Sequence, residues 1–222
     1  MNALDVGFVI PLPVEAKPLL QQLTSGKTYK KASREIYTGI LFGKKVSIII
    51  SGCGKIKAAA ATQLLIDTFP AKAYIHYGTA GALSGQLKIG DIVVATEVIE
   101  YDVIELFPQK MPPPRHKITP LINKSEITND SIFSLVWGTI ASGDEDIIST
   151  KRKRQLNRLY KGLSVDWESA GFALTCELNK VPGYIFRGVS DHAYEHTAME
   201  YQKNQRMAIQ NIINLLARLL TL

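Results

Sequence analysis

Residues 164–193, SVDWESAGFALTCELNKVPGYIFRGVSDHA, constrain the chain more than any other stretch. They read as a short strand, a helix opening after Asp166-Trp167-Glu168, a break at Pro182-Gly183, and a second strand. Ser169, Ala170, Gly171, Ala173, Thr175 and Cys176 are small enough for the helix to pack closely on a sheet. Tyr184, Ile185, Phe186 and Val189 make a mostly apolar run, the pattern of a strand buried on both faces of an α/β sheet. Asp191 stands at the carboxyl end of that strand, the edge at which open α/β sheets bind ligands. Glu168 opens the helix, so two carboxylates reach one crevice, and such a pair can divide binding and proton transfer between them. The plainer reading makes Glu168 a helix cap or dipole partner and Asp191 a turn residue.

The 222 residues suit one α/β domain, and 46% apolar content supports a sizeable core. A net charge of +6 permits attraction to anions without specifying nucleic acid. The densest basic run, Lys151 to Arg154, lacks interleaved aromatics and reads as a solvated helix face. Cys53 and Cys176 lack zinc-type spacing and are expected as reduced thiols, which points to the cytoplasm. No signal peptide, spanning segment or metal set is expected, nor a cofactor.

Strands are expected over Val6–Ile10, 35–42, 45–51, 73–78, 92–95 and 136–141. Pro11 and Pro13 end the first, and a helix from Val14 to Leu23 carries Glu15 in its first turn, where a dipole partner is the commoner role. Ser51-Gly52-Cys53-Gly54-Lys55 joins a strand to an Ala-rich helix, in the manner of an anion or ribose cradle; it matches neither a dinucleotide fingerprint nor a P-loop. Gly78 to Leu83 reads as a second glycine turn that lets a ligand approach the backbone. Residues 101–130, with Pro108, Pro112, Pro113 and Pro114, are too irregular for a helix or central strand. The last helix carries a core stripe of Met207, Ile209, Ile212, Ile213, Leu215, Leu216 and Leu219.

In order, VGFVIPLPVEAKPLL, SGCGKIKAAAA, HYGTAGAL, KIGDIVVATE, IASGDEDI, VDWESAGFA and FRGVSDHA resemble the nucleoside phosphorylase/nucleosidase superfamily, and within it the methylthioadenosine/S-adenosylhomocysteine nucleosidases. Each motif alone is soft; seven in register cover nearly the whole chain. The resemblance implies one three-layer α/β domain over residues 1–222, with a central mixed, partly barrel-like sheet flanked by helices, and a homodimer. It implies hydrolysis of the adenine–ribose bond of 5′-substituted adenosines, through an oxocarbenium-like transition state. By that resemblance Asp191 protonates the leaving adenine, with Ser190 in support. Glu15 orients and deprotonates the water, and Arg187 lies close to Glu15 and keeps it ionised. Glu168 holds the ribose hydroxyls beside Trp167, and Thr79 lies near the ribose. Ala80, Gly81, Asp146, Ile147 and Asp166 complete the substrate-binding set.

The chain departs from the family pattern at Asp146, where an aromatic residue stacks on adenine, and at Trp167, where a Met is usual. The loop from Tyr101 to His116 also diverges; Phe107 is expected to cover the partner subunit's 5′ pocket. These changes bear on substrate choice more than on reaction type. Aminodeoxyfutalosine or futalosine hydrolysis, phosphorolysis and non-catalytic nucleoside binding are the alternatives. Phosphorolysis needs a bound phosphate dianion, yet the Pro11–Glu15 turn offers a carboxylate and no arginine.

Overall fold

The computed structural model describes residues 3–105, 111–122 and 133–221. Ten strands among them form one mixed sheet. They are β1 (Leu4–Ile10), β2 (Thr24–Lys31), β3 (Arg34–Leu41), β4 (Lys44–Ile50), β5 (Ala71–Ala82), β6 (Ile92–Glu100), β7 (Arg115–Lys117), β8 (Leu135–Ser142), β9 (Ser164–Asp166) and β10 (Gly183–Asp191). The helices are α1 (Pro13–Leu20), α2 (Lys55–Thr68), α3 (Thr150–Tyr160), α4 (Ser169–Asn179) and α5 (Thr197–Thr221).

The strand order is β10-β6-β8-β9-β5-β1-β4-β3-β2, with β7 on β6, and β10 pairs a second time with β5. That pairing closes β10, β6, β8, β9 and β5 into a five-stranded ring, leaving β1, β4, β3 and β2 as an open wing. A closed ring removes the exposed edges that a strand array otherwise carries. On one side α1 and α5 bury Leu19, Ile209, Ile212 and Leu216 against Phe8, Ile48, Ile75 and Phe186. On the other, α2 and α4 bury Leu65, Phe172 and Cys176 against Val9, Ile49, Tyr74 and Ile185. Helices on both faces account for strands that are apolar throughout.

The small residues of α4 serve close approach as expected. A Cβ on Gly171 would run into the backbone carbonyl of Lys55, so α2 and α4 meet almost backbone to backbone. Met207, placed in the core stripe of α5 by periodicity, is 45% exposed; Ala208 and Leu220 are the buried neighbours.

The largest difference from expectation lies in β5. The segment from Gly78 to Ala82 continues the strand instead of turning. It runs in parallel with β10 from Tyr74 to Gly81. On its other edge, pairing with β1 ends at His76 and pairing with β9 begins at Gly81. Between those points β5 faces no strand on that edge, and the sheet opens there.

Candidate active site

The opening beside β5 leads into a cavity of about 380 Å³. Eleven of the twelve site residues expected from the sequence line it: Glu15, Thr79, Ala80, Gly81, Asp146, Ile147, Asp166, Trp167, Glu168, Ser190 and Asp191. Arg187 is the exception. It is wholly buried behind the wall and meets the cavity only through its neighbours.

Glu15 fills the gap left by the missing strand partner. Its Oε1 accepts the Thr79 backbone N–H at 2.8 Å and the Thr79 hydroxyl at 2.7 Å. Its Oε2 accepts the Leu12 backbone N–H at 3.2 Å, a capping role at the start of α1. Glu15 is thus both the helix-capping acid that its position suggests and a carboxylate facing the cavity. Burial pushes its carboxyl above the ordinary range; the Thr79 donors and the Arg187 charge oppose that shift and are outweighed. Arg187 lies close to Glu15, as expected, since a Cβ on Gly78 would meet both Arg187 Nη1 and the two Glu15 oxygens, and its charge favours the ionised carboxylate against the effect of burial. The guanidinium is engaged by Asp166, with Nε 2.6 Å from Oδ2.

Asp191 is aimed by a bulge. The register of β10 against β5 shifts between Val189 and Asp191, so Ser190 is the extra residue and Asp191 lies opposite Gly81. Consecutive strand residues normally point to opposite faces; the bulge lets Ser190 and Asp191 line one cavity. Asp191 Oδ2 accepts the Ser190 hydroxyl at 2.8 Å, and Oδ1 accepts the Ala193 N–H at 3.0 Å and the Thr197 hydroxyl at 3.2 Å. Both hydroxyls have a second acceptor, the carbonyls of Ala80 at 3.4 Å and Ile147 at 3.5 Å. They can turn to those carbonyls when the carboxyl carries a proton, so neither protonation state leaves a clash of donors.

Glu168 is held by the first glycine turn. Its Oε1 accepts the Gly54 N–H at 3.0 Å, while Oε2 stands 3.6 Å from Arg187 Nη2. Gly54 has φ +100, so its backbone turns inward in a conformation that side chains disfavour. The turn read as an anion cradle binds the protein's own carboxylate. Burial raises Glu168 to about 7, against the pull of Arg187. Asp166, by contrast, is saturated. It accepts the backbone N–H groups of Glu168 and Ser169 and the Ser169 hydroxyl, besides its ion pair with Arg187. The helix-capping role considered for Glu168 belongs to Asp166.

Trp167 donates its indole N–H to the Glu145 carbonyl at 3.1 Å, and Asp146 is exposed at the rim. The basic run is partly spent: Arg152 pairs with Glu145 at 2.6 Å, and Lys153 donates to the His192 carbonyl at 2.6 Å. Phe107 lies outside the described residues.

Sequence reasoning missed Cys53, Thr197 and Tyr201, which also line the cavity. Tyr201 hydrogen-bonds Thr79, and burial raises its phenol. Thr197 and Tyr201 are spaced i and i+4 on α5, a pattern that marks one helix face. Cys53 carried no signal beyond its place between two glycines.

Glu15 and Asp191 are both placed by β5. Glu15 is anchored at Thr79 and Asp191 faces Gly81, two residues further along the same strand. A rise of about 3.3 Å per residue separates these anchor points by about 7 Å.

Residues 5–221 match the family described as the phosphorylase superfamily. A 5′-methylthioadenosine/S-adenosylhomocysteine nucleosidase of Staphylococcus aureus is 31% identical over 207 residues, covering 89% of this chain and 90% of the relative. The nucleosidase of the same name from Neisseria meningitidis, solved with methylthio-immucillin-A, superposes with a TM-score of 0.84 at 26% identity, covering 98% of both chains. The S-adenosylhomocysteine nucleosidase of Streptococcus pyogenes, solved with 5-methylthiotubericidin, gives a TM-score of 0.86 at 25% identity, covering 100% of this chain and 98% of the other.

Proposed function

Because the chain belongs to the phosphorylase superfamily, and within it to the 5′-methylthioadenosine/S-adenosylhomocysteine nucleosidases, we propose that it hydrolyses the N-glycosidic bond of 5′-substituted adenosines. Asp191 protonates the departing adenine, Glu15 takes a proton from the attacking water, and Glu168 grips the ribose hydroxyls. The carboxylates also favour the positive charge that develops on the sugar. The products, adenine and a 5-substituted ribose, fit nucleoside catabolism and methionine salvage.

The observation that carries this reading is the charge of the cavity wall. Its ionisable acids are Glu15, Glu145, Asp146, Asp166, Glu168 and Asp191, and no Lys, Arg or His lines it among the described residues. A phosphate dianion would meet carboxylates where it needs cations. Incubation with methylthioadenosine is therefore expected to release adenine at the same rate with and without phosphate, leaving free 5-methylthioribose. Strict phosphate dependence, with a ribose 1-phosphate as product, would overturn the hydrolytic reading.

The same proposal makes residues 1–222 one catalytic domain and the protein a homodimer. The single sheet containing every described strand supports the first. For the second, Ile56 at the start of α2, Leu178 on α4 and Ile104 and Met111 beyond β6 are each more than two-thirds exposed. Lys55, next to Ile56, ties the β6 loop to α2 through Glu100 at 2.8 Å and Asp102 at 2.5 Å. Large apolar side chains left exposed on neighbouring elements are the material of association surfaces. Sedimentation is expected to give a dimer at assay concentrations; a fully active monomer would count against it. Among the described residues no helix is long and apolar enough to cross a membrane. Two unpaired cysteines support a cytoplasmic site of action.

A further inference from the structure

We infer that His76 is a positioning residue which keeps Arg187 from closing onto Glu168, so that one Glu168 oxygen stays available to the ribose. The inference rests on the proposed role of Glu168.

His76 lies on β5 with no exposed surface, stacked on Phe172 at 5.0 Å between ring centroids and 22° between planes. Its two nitrogens face opposite partners. Nδ1 is 2.7 Å from the Val9 carbonyl, which can only accept. Nε2 is 2.5 Å from Arg187 Nη2, which can only donate. The pair fixes a neutral imidazole with its proton on Nδ1 and its lone pair aimed at the guanidinium. Burial and the Arg187 charge both hold the imidazole well below its ordinary range, in agreement with that assignment.

The consequence falls on Arg187 Nη2. It donates to His76 and to the Ser169 hydroxyl at 3.1 Å, and it stands 3.6 Å from Glu168 Oε2, beyond a hydrogen bond. Glu168 Oε1 is committed to Gly54. Without the lone pair of His76, the buried guanidinium gains by turning Nη2 onto Glu168, because an unsatisfied buried donor is costly. Glu168 would then be spent on protein at both oxygens, and a ribose hydroxyl would have to displace a charge-assisted bond. Asp166, held at Arg187 Nε, and Glu15, whose carboxylate shares with the unpartnered Arg187 Nη1 the space beside Gly78, complete the charged surroundings.

The test compares His76→Phe, which keeps the ring and the stack on Phe172 but has no acceptor, with His76→Gln, whose Oε1 reaches the position of Nε2. Binding of a carbon-linked, non-hydrolysable 5′-methylthioadenosine analogue and of free adenine is measured by titration calorimetry. In His76→Phe the Kd of the analogue is expected to rise about 10- to 100-fold, the range of a lost hydrogen bond to a charged group, while adenine binding is unchanged. His76→Gln is expected to restore most of the loss. His76→Leu carries the same expectation if the phenyl variant does not fold. Unchanged analogue binding, parallel loss of adenine binding, or equal behaviour of the Phe and Gln variants would overturn the inference. Glu168→Gln separates the two levels. If it alters the ratio of analogue to adenine binding while His76→Phe does not, only the role of His76 fails. If it leaves that ratio unchanged, the ribose-binding role of Glu168 fails and this inference with it.

Discussion

Asp191→Asn is expected to lower kcat about 100- to 10,000-fold, the usual worth of general acid help, while leaving the binding of a 5′-thioadenosine analogue within a few-fold of wild type. The geometry makes this substitution unusually clean. The Asn carbonyl can go on accepting from Ala193 N–H and the Thr197 hydroxyl. Its amide N–H can donate to the Ser190 oxygen, whose own proton turns to the Ala80 carbonyl at 3.4 Å. Each protein group that Asp191 engages keeps a partner, so the variant folds and binds but has no proton to give to the base. Single-turnover release of adenine, beside calorimetric binding of the analogue, reads the two effects separately. Retention of more than about a tenth of kcat would show that another group protonates the leaving base, given the size expected of such catalysis.

Glu15→Gln is expected to cost a similar factor in kcat, because an amide cannot take the proton of the attacking water. Here the pH dependence adds a second signature. Burial raises the Glu15 carboxyl above its ordinary value of 4.5. The base form is lost as pH falls through that raised value, so kcat/KM should decline on the acid side earlier than an exposed glutamate would dictate. In Glu15→Gln the small residual activity should lose the part of that limb due to Glu15 and keep the part due to Glu168, which burial raises to about 7. Glu168→Gln should differ from both by raising KM as well as lowering kcat, since its contact is made in the ground and transition states alike. A Glu15→Gln enzyme with wild-type kcat would remove Glu15 from the mechanism.

The strand–helix–strand segment 164–193 was legible because its periodicity, its small residues and its Pro-Gly break all point the same way. The crevice between Glu168 and Asp191 followed from it. β2 was not legible: all eight of its residues, TSGKTYKK, are exposed, and no apolar alternation marks an edge strand held only by its hairpin with β3. Gly78 and Gly81 were misread for a physical reason. Glycine usually signals a turn, but here it makes room inside a strand. A Cβ on Gly78 would strike the Arg187 guanidinium, and one on Gly81 would lie 2.9 Å from Asp191 Oδ1. Such glycines mark close approach of functional side chains to a strand. The partner of Arg187 was beyond sequence reasoning because it depends on which side of β10 faces the start of α4. The bulge at Ser190 likewise has no signature in one sequence.

The doubly paired β5 also bears on how the molecule assembles. The β2–β3–β4 hairpins join neighbours in the chain and can form early, whereas β10 must find β5 from far away; Arg187 meets His76 across 111 residues. Contacts between distant segments require the entropy of a large loop to be surrendered first, and they come late in folding. Glu15 and Asp191 share one cavity only once that strand is seated. Recovered activity after denaturation is therefore a reporter of ring closure, and a refolding chain can regain most of its secondary structure while still unable to turn over a substrate.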